Sequence, residues 1–127
     1  MRPGNTRPPG KLEGPLLADA NFNQKIVAGL LLREPQIDFE LPQNAIPEKM
    51  EDPDVLELGA ARGWIIVTHD VRTMPDHFSD FMADQPCPGI ILVPKKMPIG
   101  AAVEDLLLIW QVSEAEQWIN QIRRLPL

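Results

Sequence analysis

Beyond residue 14 the chain alternates short apolar runs with stretches whose apolar positions recur every three or four residues. Residues 15–18 are apolar and end at Asp19, which predicts a buried strand with an acid at its carboxyl end. In residues 21–33, Phe22, Ile26, Leu30 and Arg33 recur at helical spacing. Asp19 or Asn21 is available as N-cap, and Pro35 is the stop. Residues 36–41 alternate like a half-buried strand, and 42–51, with two prolines, read as loop. Asp52-Pro53 then opens a second helix, an acidic cap before proline at the first helical position. Val55, Leu56, Leu58 and Ala60 form its apolar face, and Gly63 ends it.

Residues 64–68 are continuously apolar up to Thr68, the pattern of a strand covered on both faces, and Asp70 follows. Residues 74–85 predict a short, irregular helix. Residues 89–93, between Pro88 and Pro94, predict a fourth buried strand. From Ile99 to Val112 the helical periodicity is strongest, with Val103, Leu106, Leu107 and Trp110 in one stripe. Ser113 with Glu116 has the form of a capping box for a last helix, whose inner face would be Trp118, Ile119 and Ile122. Strand and helix alternating in this way predict an α/β domain with three layers. Its mainly parallel sheet of about four strands would be flanked by helices and joined by right-handed crossovers. Ligands of such sheets bind outside the carboxyl ends of the strands.

Composition narrows the class. The chain has 127 residues, enough for one domain over residues 15–127 and for a core that needs no disulfide or structural metal. Residues 1–14, rich in proline and glycine, have no hydrophobic core of their own and read as a disordered tail rather than a signal peptide. Twelve Lys and Arg against 18 Asp and Glu give a net charge of −6. That excludes wholesale nonspecific DNA binding but not a nuclease whose metal is held by carboxylates. One cysteine, Cys87, excludes an internal disulfide framework and a Cys-rich zinc site, and points to a reducing, cytoplasmic setting. No run is long enough to span a membrane.

Three acids fall where a parallel sheet would gather them. Asp19 follows the first strand, Asp70 follows the third, and Asp52 opens the helix that leads into the third. Clustered carboxylates repel one another unless a cation intervenes, and an all-oxygen set suits Mg²⁺ or Mn²⁺. Such an ion polarises a phosphodiester and activates water. Each acid also has a plain structural reading, as a helix cap or turn former.

The segment DPDVLELGAARGWIIVTHD, residues 52–70, resembles the second half of a PIN domain: an Asp opens a helix, a Gly ends it, and a buried strand runs into T-x-D. LLADANF, residues 16–22, resembles the start of the same fold, where a strand ends in D-x-N. GIILVP, IGAAVEDLLLI and RRLPL are similar to a compact bacterial PIN-like family of unknown function, related to VapC-type toxin nucleases. The resemblance covers residues 15–127 and implies a Mg²⁺- or Mn²⁺-dependent hydrolase that cleaves RNA. Asp19, Asp52 and Asp70 would be the metal ligands, with Asn21 and Thr68 completing the catalytic set. Arg72, His69 and Asp76 would lie toward the substrate. An antitoxin protein and a second copy of the chain are the partners that the resemblance implies. The family's fourth acid has no marked counterpart: Glu40 and Glu48 are candidates, Arg72 stands where many relatives have an acid, and Asp76 could substitute.

Two other readings compete. A noncatalytic interaction domain needs none of these roles. A phosphorelay receiver has the same alternation, with Asp70 as phosphoacceptor and Lys95 as its lysine, but lacks its second acid at Ala20 and its Ser/Thr at Val93. His69 and His77 lack the spacing of a helical zinc motif. Arg72 suits either a phosphate contact or an ion pair. Trp64, Trp110 and Trp118 sit at core positions, Lys95 and Lys96 form a small basic patch, and Cys87 is expected to be inert.

Overall fold

The computed structural model describes residues 15–19, 21–41 and 52–127. The expected tail (1–14) and loop (42–51, with Glu48) lie outside the described residues. Five strands form one sheet: β1 (Leu16–Ala18), β2 (Phe39–Glu40), β3 (Ile65–Thr68), β4 (Ile90–Leu92) and β5 (Ile122–Arg124). Their order is β2-β1-β3-β4-β5, and every pairing is parallel. Among the described residues the α-helices are α1 (Gln24–Arg33), α2 (Asp52–Arg62), α3 (Met74–Met82) and α4 (Ile99–Val112), followed by a 3₁₀ turn over Ala115–Trp118. This is the expected three-layer α/β architecture. No helix among the described residues is long and apolar enough to cross a membrane.

The period-two alternation along each strand divides the core. Leu16, Ala18, Ile65, Val67, Ile91 and Val93 face one layer, which α1 and α4 cover with Ile26, Leu30, Val103, Leu106 and Trp110. Leu17, Ile66, Ile90 and Leu92 face the other, covered by α2 and α3 with Val55, Leu56, Met74 and Phe78. Trp64, Trp110 and Trp118 are buried, as their core positions predict. Helix α1 begins later than its periodicity suggests: Asn23, not Asp19 or Asn21, is the N-cap, accepting the Lys25 N–H at 2.9 Å. Asp19 instead receives the Asn21 N–H, which tightens the loop ahead of the helix. At the end of α2 the chain reverses through Gly63 at φ +72°, a conformation that costs glycine little.

Two expectations are corrected. The crossovers β3–α3–β4 and β4–α4–β5 step the same way across the sheet on opposite faces, so they have opposite hands. Uniform handedness would have put α4 over the layer that α2 and α3 already cover and left α1 alone over six apolar strand residues. Residues 113–122 are also not a final helix. Glu114, not Ser113, caps a single 3₁₀ turn, reciprocally with Gln117. Asn120 then takes φ +61° and pairs twice with Cys87, its N–H on the carbonyl at 2.7 Å and its Oδ1 accepting the Cys87 N–H at 2.9 Å. That reversal frees Ile122 to pair beside β4 as the fifth strand, instead of lining a helix with Trp118 and Ile119.

Candidate functional site

The sheet order turns around β1: the chain moves to β2 on one side and returns to β3 on the other. The carboxyl ends of β1 and β3 therefore lie side by side where the connections diverge, the usual ligand position in doubly wound sheets. Leu16, Leu17 and Ala18 pair with Ile65, Ile66 and Val67, and one further step along that register sets Asp19 beside Thr68. Thr68 is fully buried. Its hydroxyl donates to Asp19 Oδ2 and accepts the Asp70 N–H at 3.1 Å. The carboxylate of Asp19 and the backbone of Asp70 thus share one hydroxyl, Asp19 and Thr68 lying 49 residues apart in the chain.

Each carboxylate is further oriented by its own loop. Asp19 Oδ1 accepts the Asn21 N–H at 3.0 Å. Asp70 Oδ1 accepts the Arg72 and Thr73 N–H groups at 3.1 and 2.9 Å, and Oδ2 accepts the Thr73 hydroxyl. The Asp70 carboxylate consequently tightens the turn into α3, where negative charge is favoured by the exposed N–H groups of the first turn. The structural reading of Asp70 is realised whatever else it does.

His69 braces the site from behind. Nε2 accepts the Asn23 N–H at 3.1 Å, and Nδ1 lies 2.8 Å from the Val93 carbonyl oxygen. A backbone N–H can only donate and a carbonyl can only accept, so the ring is the neutral tautomer protonated on Nδ1. The imidazole links the loops that follow β1, β3 and β4, with both ring nitrogens engaged.

The remaining candidates are arranged around this centre. Asn21 and Arg72 are exposed, and each donates its backbone N–H to the neighbouring candidate acid. Asp76 is an exposed acid in the first turn of α3. Asp52 opens α2, whose face packs on β3 before the chain reverses into that strand. Its side chain, like Glu48, lies outside what is described. Glu40 ends β2, one strand beyond β1. His77 lines a cleft between α2 and α3 together with Glu57 and Asp80. Lys95 and Lys96 are exposed just past the carboxyl end of β4, on the same edge as Asp19 and Asp70.

Sequence reasoning marked Thr68 and His69 by their place in T-x-D. It did not find the roles of Asn23, Thr73 and Val93, which act through backbone groups or short-range turns. Thr73 carried the one available signal, a hydroxyl ahead of the Met74-Pro75 helix start. The donors at this edge are all oxygens, and two carboxylates suit a hard cation that keeps several waters or adds substrate phosphates. Among the described residues no three His, Cys, Asp or Glu groups converge to enclose an ion. In comparison with known proteins, the chain matches no family model, no curated protein and no solved structure.

Proposed function

We propose that the chain is a PIN-like, Mg²⁺- or Mn²⁺-dependent ribonuclease acting at the carboxylate edge of the sheet. The observation that carries this reading is the placement of Asp19 and Asp70 around the Thr68 hydroxyl at the divergence point of the connections, Asp19 through its carboxylate and Asp70 through its backbone N–H. Asp19 and Asp70 would hold the ion, with Asp52 as the third acid. A divalent cation bound there supplies Lewis acidity toward a phosphodiester and makes a water more acidic. Thr68 fixes the Asp19 carboxylate by donating to Oδ2, while the Arg72 and Thr73 N–H groups fix Asp70. Such pre-set geometry spares reorganisation when substrate arrives. Arg72, Lys95 and Lys96 supply positive charge on that edge in a chain whose net charge is −6, which suits a polyanionic backbone.

The test is calorimetric titration with Mn²⁺ of the wild type and of Asp19→Asn, followed by a cleavage assay on single-stranded RNA with Asp70→Asn. Asparagine keeps an acceptor for the turn into α3, so loss of metal binding and cleavage in a folded variant supports the reading. Binding and cleavage unchanged in both variants would remove it.

One observation favours a second reading. The strand order 2-1-3-4-5 is that of phosphorelay receivers, whose phosphoacceptor is an Asp after the third strand. Asp70 takes that place, and its oxygens accept three hydrogen bonds in the following turn, a constraint shared by both readings. Acetyl-phosphate labelling that is lost in Asp70→Asn would select the receiver reading over the nuclease.

A further inference from the structure

At the opposite side of the sheet from β2, strand β5 has a neighbour on one flank only among the described residues. Gln121 O and Leu125 N bond to β4 at 3.0 and 2.9 Å, so by the alternation of a strand Ile122 and Arg124 turn their N–H and C=O groups outward. Beside this open flank lies a cavity of about 350 Å³ between the last turns of α4 and the strand, lined by Leu108, Val112, Trp118, Gln121 and Arg123. Val112 is 65% and Leu108 46% exposed, an apolar wall next to unused backbone groups. Arg123 and Arg124 are exposed on alternate faces of the same strand, and neither forms an ion pair among the described residues.

We propose that β5 accepts an acidic, extended segment of a partner protein as a sixth strand, with that segment's apolar side chains seated in the cavity beside α4. The three features have separate physical roles. The outward backbone groups of Ile122 and Arg124 offer strand hydrogen bonds, which give affinity without sequence preference. The cavity accepts side chains that point to the α4 face. Arg124, on the face away from the cavity, chooses the charge, with Arg123 at the cavity rim: opposite-charge neighbours across strands stabilise, and like charges directly opposite destabilise. The same arginines disfavour a second copy at this edge, because two-fold pairing of a three-residue strand would bring four arginines together. Charged residues on an open edge are a common guard against self-association. The interface is independent of the carboxylate site and stands whether or not the chain is a nuclease.

The experiment uses the full chain and two synthetic peptides of about eight residues, one strand's length. One alternates glutamate with leucine; the other replaces each glutamate by lysine. Fluorescence anisotropy reads affinity, and amide hydrogen exchange at Ile122 and Arg124 reads the site. The glutamate peptide is expected to bind and to slow exchange at both amides, and the lysine peptide is not. Arg123→Glu combined with Arg124→Glu should reverse the preference. Should that reversal unfold the chain, Arg123→Gln with Arg124→Gln should still weaken the glutamate peptide by roughly tenfold. Absence of binding, binding that leaves both amides unprotected, or equal affinity for the two peptides would overturn the proposal. Self-association of the wild type that protects the same amides would give the edge to a second copy.

Discussion

His69 lies flat against Phe22, with ring centroids 4.5 Å apart and planes 15° from parallel. Phe22 follows β1 and His69 follows β3, so the stack closes the gap between the two strand ends that carry Asp19 and Asp70. Replacing His69 with Phe keeps a ring over Phe22 but strips the Asn23 N–H and the Val93 carbonyl of their partner. Leaving such groups unsatisfied costs ~1–3 kcal/mol. Urea unfolding should show a lower midpoint at unchanged slope. A midpoint equal to wild type would mean that only the ring contact matters.

Thr68 separates a hydroxyl from its shape. Thr68→Val is nearly isosteric, yet it removes the hydroxyl that donates to Asp19 Oδ2 and accepts the Asp70 N–H. A loss of ~1–3 kcal/mol is expected. Thr68→Ser keeps both bonds and should lose less, through one methyl group. If valine and serine are equally destabilising, the hydroxyl has no part in holding the acids.

Gly89 and Gly63 both have positive φ, but their surroundings differ. At Gly89, φ +135°, an added Cβ would meet the Trp118 carbonyl oxygen at 2.7 Å and the Trp118 Cβ at 2.9 Å. At Gly63 it would meet nothing within 4 Å. Gly63→Ala should therefore cost about 1–2 kcal/mol, the left-handed backbone conformation alone. Gly89→Ala should cost well beyond that, because the 3₁₀ turn carrying Trp118 must move. Thermal unfolding of the two variants side by side tests the difference, and equal melting temperatures would refute it.

Burial pushes the Cys87 thiol above its ordinary range, partly opposed by a hydrogen bond from the Gly89 backbone. The reactive thiolate is then scarcer at neutral pH than in an ordinary cysteine. Iodoacetamide should label the native protein slowly and the urea-unfolded chain quickly. The sign for stability follows: the folded state holds this proton to higher pH than the unfolded state. Stability is therefore unaffected below the ordinary thiol range and falls as pH rises through it. Fast labelling of the folded protein would contradict the burial.

The helices and inner strands were legible because their apolar residues repeat with the period of the element. Helix α4 matches its predicted bounds, and Phe22, Ile26 and Leu30 all point into the core. The end of the chain was not legible. Trp118, Ile119 and Ile122 satisfy a helical spacing, but the segment is decided by Asn120 pairing with Cys87, a contact 33 residues away in sequence. Of the carboxylate edge, the T-x-D spacing gave Thr68 and Asp70, and the strand end gave Asp19. The braces through Asn23 and Val93 use main-chain groups, which every residue carries and no side-chain pattern marks.

The face shared by α1 and α4 has a consequence for synthesis. A chain made from its N-terminus exposes Leu16, Ala18, Ile65, Val67 and Ile91 on that face long before α4 exists, while α2 and α3 are already available for the other. One side of the nascent sheet can thus close early, whereas its reverse stays bare until residues 99–112 have left the ribosome. In that interval, among the described helices, α1 alone covers this apolar surface, and the half-built domain is most exposed to aggregation or to capture by chaperones. The helix that departs from the common hand is also the one that ends this exposure.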